Sequence, residues 1–287
     1  MIFRFLLFSQ ILFILIIACE DEYYRPTTGN DDGPSQNFIE TDVSLSPDRE
    51  YIYFSVRDTI FDGRYSGINK ARVTHPVRER VLAGSNYYSP TINFDYNILA
   101  YLFDSRIHYY DIALDTIMNS GITADFESIL YVNLDVLMAA RNDSLFLTNE
   151  TDSSYQYLRD GWDPTLVAAD TFLIFASLDN YTFRIIKDNL VESNPETLFT
   201  VQTNLSAFPH WPTLHPISGH LAYGLEFADQ KFVYSATVGE SLGIGDTKTF
   251  IDDTEYSKPY ILNYNQIVFS GPDGFLYQSD FEGIKSV

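Results

Sequence analysis

Six short apolar segments recur along most of the chain, and they predict its strands. They occupy residues 51–54, 98–101, 136–139, 172–175, 220–223 and 266–269, and their first residues lie 47, 38, 36, 48 and 46 positions apart. A period of about 43 residues in units rich in β-branched and aromatic side chains is typical of β-propeller blades. Helical repeats of this length would show apolar residues every three or four positions over longer stretches, and none is present.

Two further features keep the same spacing. A proline precedes the apolar segment by eight positions in units two, four and five and by seven in unit six, at Pro90, Pro164, Pro212 and Pro259. A second strand-like segment begins about nine residues after the start of most apolar segments, and a weaker one closes each unit. A four-stranded antiparallel blade buries both faces against its neighbours, so its central strands are apolar throughout. The ring is closed either by residues 38–45, completing the last blade, or by residues 283–287 alone.

Unit one also carries a family resemblance. Residues 46–55 read SPDREYIYFS, which is similar to the SPDGxxIaFxS repeat of TolB-like six-bladed propellers. Only unit one keeps the Ser46-Pro47-Asp48 triplet, and unit two has Asn93-Phe94-Asp95 in its place. The resemblance extends over about residues 38 to 287 and implies an all-β, six-bladed propeller. It implies little about activity, because this fold hosts translocation proteins, peptidase modules, sugar lyases and binding platforms.

The amino terminus has the pattern of an export signal. Arg4 precedes an apolar run of 13 residues, which as a helix would span roughly 20 Å, short of the ~30 Å hydrocarbon core of a membrane. The run ends at Ile-Ile-Ala-Cys, and Cys19 is the only cysteine of the chain. This boundary resembles the lipobox of bacterial lipoproteins and implies cleavage before Cys19 and a diacylglycerol on its sulfur. The alternatives are an ordinary signal peptide or a buried cysteine in an anchor helix.

An acidic stretch follows the predicted cleavage site. Glu20, Asp21 and Glu22 resemble the signal that sends some Bacteroidota lipoproteins to the cell exterior, although a solvated tether would have the same composition. The Pro-, Gly- and Asp-rich sequence that continues to residue 37 predicts a flexible stalk. We therefore expect a signal peptide over 1–18, a tether over 19–37 and a propeller over 38–287. The expected location is the bacterial outer membrane, at its periplasmic face or on the cell surface.

Composition narrows the classes of partner. The chain carries 18 Lys and Arg against 39 Asp and Glu, a formal charge of −21. This excess of acid excludes nucleic acid, which needs clustered cations, and favours a cationic protein face. A single cysteine excludes internal disulfides and cysteine-based zinc sites.

One motif matches a catalytic pattern without its context. Residues 239–243 read GESLG, which fits the G-x-S-x-G nucleophile elbow of α/β-hydrolases. In that fold the acid and the histidine follow the serine along the chain, whereas the last histidine here is His220, before Ser241. We interpret the motif as a glycine-rich loop and predict no catalytic residue.

The remaining candidates lie near the predicted entrance of the ring. His210, His215 and His220 stand five residues apart, and the funnel histidines of TolB-like lyases hold a metal, so these three are weak metal candidates. Strand alternation is expected to separate them, which favours structural or surface roles. Four residues that precede the central strands are candidate funnel residues able to stack on sugars or peptides: Tyr88, Trp162, His210 and Trp211.

These observations together predict a lipid-anchored envelope propeller that binds a partner without catalysing a reaction. We expect no cofactor beyond the lipid on Cys19. The expected partners are envelope proteins, or a small ligand or glycan at the funnel. The alternative function is a metal-dependent sugar lyase or hydrolase that uses the funnel histidines.

Overall fold

All regular structure in the part of the chain described here is β-strand. The computed structural model describes residues 38–58, 65–74, 77–149, 154–167, 172–179, 182–190, 194–201, 207–215, 217, 219–227, 230–237, 248–249, 257–263, 266–270, 276–280 and 285–286. Residues 1–37 lie outside this set, and with them Cys19, the predicted signal peptide and the tether. The GESLG motif at residues 239–243 lies outside it as well. Among the described residues, no helix has the length and apolar character that a membrane crossing requires.

The first three blades follow one another along the chain, each with four strands. Blade 1 comprises β1 (Phe38–Leu45), β2 (Tyr51–Asp58), β3 (Gly67–Arg72) and β4 (Arg78–Ala83). Blade 2 comprises β5 (Tyr87–Ile92), β6 (Ile98–Phe103), β7 (Arg106–Asp111) and β8 (Thr116–Asn119). Blade 3 comprises β9 (Ser128–Tyr131), β10 (Val136–Arg141), β11 (Ser144–Asn149) and β12 (Tyr155–Asp160).

The last three blades repeat the arrangement. Blade 4 comprises β13 (Trp162–Leu166), β14 (Phe172–Asp179), β15 (Thr182–Asn189) and β16 (Glu196–Val201). Blade 5 comprises β17 (Ala207–Leu214), β18 (His220–Phe227), β19 (Gln230–Thr237) and β20 (Lys248–Thr249). Blade 6 comprises β21 (Ser257–Asn263), β22 (Gln266–Ser270), β23 (Leu276–Asp280) and β24 (Lys285–Ser286). Every blade is a four-stranded sheet whose strands pair in chain order, so the prediction of a six-bladed all-β propeller is confirmed.

The second strand of each blade begins at the first residue of a predicted apolar segment. In β6 and β10 the four central residues are buried whichever face they point to, because both faces are covered by neighbouring blades. Six interfaces between consecutive blades each hold an apolar cluster. Each blade therefore depends on its two neighbours to bury its faces.

The first strand of each blade lies at the centre of the ring. β1, β5, β9, β13, β17 and β21 each contact the next of the series, and β21 contacts β1. The two alternatives for ring closure are thereby decided: β1 pairs with β2 as the inner strand of blade 1, and β24 pairs with β23 to complete blade 6. The seam between the first and last blades is closed by side chains, including Val43, Ile52 and Leu276.

Candidate functional site

In each blade one residue of the inner strand, or in blade 3 the residue directly before that strand, lines a common cavity at the same place in the repeat. It stands nine positions before the start of the second strand in blades 1 to 5 and eight positions before it in blade 6. We call these six residues the channel ring: Asp42, Ser89, Glu127, Asp163, Trp211 and Lys258. All six line one cavity of about 610 Å³ that receives residues from every inner strand, which identifies it as the axial channel of the propeller.

A repeated β-bulge aims these side chains. Every ring residue except Glu127 has a positive φ, between 48° and 59°, and lies where the pairing of its inner strand shifts register. A positive φ is unfavourable for residues with a side chain, most of all for one as large as Trp211. Five repetitions of the same strained geometry around one cavity mark the channel as the candidate site, because such strain concentrates at functional positions.

The channel carries an excess of negative charge. Its described lining includes five carboxylates against one lysine, Lys258, and one histidine, His210; the acids are Asp42, Glu127, Asp143, Asp160 and Asp163. Leu178, Phe183 and Phe208 add an apolar wall to the same cavity. A cleft lined mainly by one sign of charge concentrates ligands of the opposite sign, so the channel favours cations.

An ion pair spans the seam inside the channel. The Lys258 ammonium contacts Asp42 Oδ1, and Thr41 Oγ1 donates to Asp42 Oδ2 at 3.0 Å. Lys258 Nζ also lies 5.4 Å from the centre of the Trp211 ring, within the range of a cation–π interaction. Burial lowers the pKa of Lys258 to about 8, although its side chain keeps 28% exposure and the neighbouring carboxylate acts in the opposite direction.

His210 and Asp163 form a second polar pair in the channel. His210 Nδ1 lies 2.8 Å from Asp163 Oδ2, and the same oxygen accepts the backbone N–H of Trp211 at 3.3 Å. Because the carboxylate accepts, Nδ1 carries the proton and Nε2 of a neutral His210 is an acceptor. Asp163 thus fixes both the imidazole tautomer and the backbone that presents the Trp211 indole.

Both tryptophans of the chain line the channel, in different ways. Trp162 is buried, and its Nε1–H donates to Pro209 O at 2.9 Å, so it ties blade 4 to blade 5. Trp211 lies against Gly224 of β18, where an added Cβ would stand 3.2 Å from Trp211 Cε3. Gly224 therefore provides space for the indole, and the centre of the His210 ring lies 4.9 Å from that of Trp211.

Of the four predicted funnel residues, the structure brings three to the channel, namely Trp162, His210 and Trp211. Tyr88 has a different setting: its hydroxyl donates to Ser105 Oγ at 2.9 Å, and its ring packs on the apolar cluster between blades 2 and 3.

The three histidines do not come together. His215 and His220 flank the hairpin between β17 and β18, where His215 N–H donates to His220 O at 2.8 Å, while His210 lies five or more residues back along β17. Burial lowers the pKa of both hairpin histidines, and for His215 the charge of Arg49 adds to it. Among the described residues, no three His, Cys, Asp or Glu side chains are grouped so that they could hold a metal.

Sequence reasoning missed five of the six residues of the channel ring: Asp42, Ser89, Glu127, Asp163 and Lys258. A signal for them was present, since Ser89, Asp163, Trp211 and Lys258 directly precede the recurring prolines. The proline marks the position after the bulge in units two, four, five and six, so counting back one residue in those units gives four of the six ring residues.

Comparison with known proteins supports the fold and extends no further. No protein-family model matches the chain, and no curated protein matches it. TolB from Acinetobacter baumannii is similar in structure, with a TM-score of 0.57 and 10% identity over 77% of this chain and 56% of that one. An oligogalacturonate lyase in complex with manganese gives a TM-score of 0.53 at 15% identity, over 87% of this chain and 77% of that one. A structure of a nidogen/laminin complex gives 0.56 at 9% identity, over 87% and 91%.

These neighbours define the class of the fold. The chain is a six-bladed propeller with TolB-like structural neighbours, and it spans 56% of the length of the TolB chain. Since TolB, an oligogalacturonate lyase and a chain of a nidogen/laminin complex share the architecture, function must be argued from the channel.

Proposed function

We propose that this protein is a binding module of the bacterial cell envelope, anchored by a lipid on Cys19, whose channel receives part of a partner protein without catalysing a reaction. The observation that carries the proposal is the channel itself, which all six blades line and which combines five carboxylates with an apolar wall. A negative cavity of this kind suits a cationic protein surface.

The mouth of the channel favours a protein over a glycan. Leu178 and Phe208 are exposed, and the rings of Phe183 and Phe208 lie 4.9 Å apart in a T-shaped arrangement. An apolar anchor bordered by acidic groups such as Asp143 and Asp160 is the usual composition of a protein-binding surface. A glycan or small ligand remains the competing occupant and is an outcome of the experiment below.

The polar groups of the channel support binding rather than catalysis. Asp42 is paired with Lys258, Asp163 with His210, and Glu127 Oε1 accepts the Asn142 N–H at 3.4 Å. Groups that neutralise and orient one another in this way shape a charged surface. A nucleophile would instead need an adjacent base and a site for the reacting atom.

Anchoring to the outer membrane is proposed from the sequence around Cys19. The propeller would be held by residues 19–37, and the acidic residues 20–22 support export of the Bacteroidota type. Expression of the full chain with Cys19→Ser tests this. The unchanged chain should partition into detergent and carry a diacylglycerol on its amino-terminal peptide by mass spectrometry. The variant should do neither, and an unlipidated wild-type Cys19 would overturn the anchor.

Binding is tested with the propeller as bait in detergent-solubilised envelopes. Phe208→Asp removes the apolar anchor at the mouth, and Leu114→Asp changes another exposed apolar side chain, in the β7–β8 turn and outside the channel lining, as a control. We expect one partner to be retained by the wild type and by Leu114→Asp and lost with Phe208→Asp. Recovery of no specific partner, or of one that Phe208→Asp still retains, would overturn the proposal.

The same preparation tests the alternative of a metal-dependent lyase or hydrolase. Elemental analysis of the purified protein should find no stoichiometric metal if the channel only binds. Stoichiometric Mn, Fe or Zn that is lost with His210→Ala would replace the binding proposal with the enzyme. Retention of a glycan in place of a protein would identify the competing class of ligand.

A further inference from the structure

The channel contains a binding site for an ammonium group, and one of its own side chains fills it. The Lys258 ammonium contacts Asp42 on one side and lies 5.4 Å from the centre of the Trp211 indole on another. A carboxylate beside an aromatic face is the arrangement that proteins use to recognise organic cations. The position of Lys258 thus shows which chemical group this site accepts.

Asp42 and Trp211, which form the two walls of the site, are held in place by contacts with other residues. Thr41 Oγ1 donates to Asp42 Oδ2 at 3.0 Å. The Trp211 backbone is held by Asp163, and its indole rests on Gly224. None of these contacts involves Lys258, so the site is organised whether or not the lysine occupies it, and an incoming cation would find it already formed.

Lys258 is a poor occupant of its own site. Burial lowers its pKa to about 8 and so acts against the adjacent carboxylate, which favours the ammonium. Its side chain keeps 28% exposure, so it lies on an accessible side of the cavity. The lysine and His210 together leave most of the five lining carboxylates without a countercharge from the described lining.

A guanidinium fits the site better than an ammonium. It stays charged when buried, forms two parallel hydrogen bonds with one carboxylate and stacks on aromatic rings. Leu178, Phe183 and Phe208 line the same cavity and offer apolar contacts to the segment that carries such an arginine.

We infer that an arginine side chain of the partner protein enters the channel, pairs with Asp42, stacks on Trp211 and displaces Lys258. The inference rests on the proposed function and specifies its ligand: a polypeptide segment with an arginine beside an apolar residue. Lys258 keeps the acidic site closed to other cations until that segment arrives.

The test uses two peptides that differ only in charge, N-acetyl-Leu-Arg-Leu-amide and the same peptide with citrulline, the neutral isostere, in place of arginine. Binding is followed by the indole N–H signal of Trp211 in NMR spectra of the folded propeller, whose only other tryptophan is Trp162. The arginine peptide should shift the Trp211 signal, and citrulline should weaken binding by roughly tenfold or more.

Variants separate the roles of the two charged residues. Asp42→Asn should weaken binding of the arginine peptide by roughly tenfold, whereas Lys258→Met should strengthen it by a similar factor because the built-in competitor is gone. Equal binding of the arginine and citrulline peptides would overturn the inference. So would unchanged binding of the arginine peptide by Asp42→Asn, weaker binding by Lys258→Met, or no binding by either the wild type or Lys258→Met. If Asp42→Asn does not fold, the citrulline and Lys258→Met comparisons decide.

The bait experiment distinguishes failure of the arginine site from failure of the proposed binding function. A partner retained by the wild-type bait, lost with Phe208→Asp and kept fully by Asp42→Asn would leave the binding module standing and overturn the arginine site. Loss of that partner with Asp42→Asn, and its tighter retention by Lys258→Met, would support both.

Discussion

Asp42 of the first inner strand and Lys258 of the last form an ion pair inside the channel, at the seam where the ring closes. None of the described strands is exchanged between the first and last blades, so the seam depends on contacts of this kind and on apolar packing. The pair therefore has two roles: it joins the first and last blades of the propeller, and it lies in the channel that forms the candidate site.

The first prediction concerns Glu40, a second carboxylate at the seam between the first and last blades. Glu40 is 1% exposed, forms an ion pair with Arg78, and accepts the backbone N–H of Leu276 in blade 6 at 3.1 Å. Glu40→Ala removes the acceptor of a guanidinium and of a backbone donor. We expect the free energy of unfolding to fall by about 2–3 kcal/mol, measured by urea denaturation.

The matched control is Glu79→Ala. Glu79 pairs with Lys70 at 3.2 Å in the same blade but is 68% exposed, so its loss should cost about 0.5 kcal/mol or less. Equal effects of the two substitutions would contradict the assigned role of Glu40 in closing the ring.

Hydroxyl groups of the inner strands connect neighbouring blades, which gives the second prediction. Thr91 Oγ1 of β5 accepts the Tyr131 N–H of β9 at 3.1 Å, and both residues are buried. Thr91→Val keeps the shape but leaves the donor without this acceptor, so we expect a loss of about 1–3 kcal/mol. Hydrogen exchange at the Tyr131 amide should accelerate in Thr91→Val and stay slow in Thr91→Ser. Unchanged protection in Thr91→Val would show that the bond contributes nothing.

The fold was predictable because its signal repeats six times. Both faces of each second strand are buried, so the strand appears as a continuous apolar segment, and six such segments at similar spacing define the blades even though units three to six have lost the Ser-Pro-Asp triplet. The mode of closure was not predictable, since β1 and β24 are both single strands whose partners depend on tertiary contacts.

The site was predictable only in part. Trp162, His210 and Trp211 were chosen as aromatic or titratable residues near the predicted entrance, and they do line the channel. The channel ring as a set has no common residue type, because Asp42 and Lys258 hold equivalent places with opposite charges. What they share is a bulge that turns the side chain inward, and strand alternation alone does not place a bulge.

The third prediction concerns the packing of the Trp211 indole against Gly224. A Cβ at residue 224 would lie 3.2 Å from Trp211 Cε3, so Gly224→Ala must displace the indole by a few tenths of an ångström. Crowding costs about 1–3 kcal/mol, and replacing glycine in a strand returns about 0.5–1 kcal/mol, so we expect a net loss near 1 kcal/mol with altered tryptophan fluorescence. In a Trp211→Leu background the crowding is absent, so the same change should cost nothing and stabilise by up to about 0.5–1 kcal/mol. Equal losses in both backgrounds would contradict the contact.

The electrostatic setting of Lys258 can be measured directly. Asp42 pairs with its amine and Trp211 lies beside it, while Asp163 and His210 line the same cavity. Burial and the neighbouring carboxylate have opposite effects on its pKa, and burial dominates, which brings the pKa to about 8 from an ordinary 10.5. Stability must then depend on pH between these two values.

The last prediction follows from the sign of that shift. Between pH 8 and 10 the unfolded chain holds a proton on Lys258 that the folded chain has released, so the free energy of unfolding rises with pH through this window. Relative to Lys258→Met, the wild type should gain about 1 kcal/mol from pH 7 to pH 9, measured by urea denaturation of both proteins at each pH. The variant cancels contributions from every other titrating group, and stopping at pH 9 avoids ionisation of the tyrosines. If the difference in the free energy of unfolding between the two proteins does not change with pH, Asp42 holds the pKa of the Lys258 amine near its ordinary value. Lys258 would then be a permanent part of the channel wall.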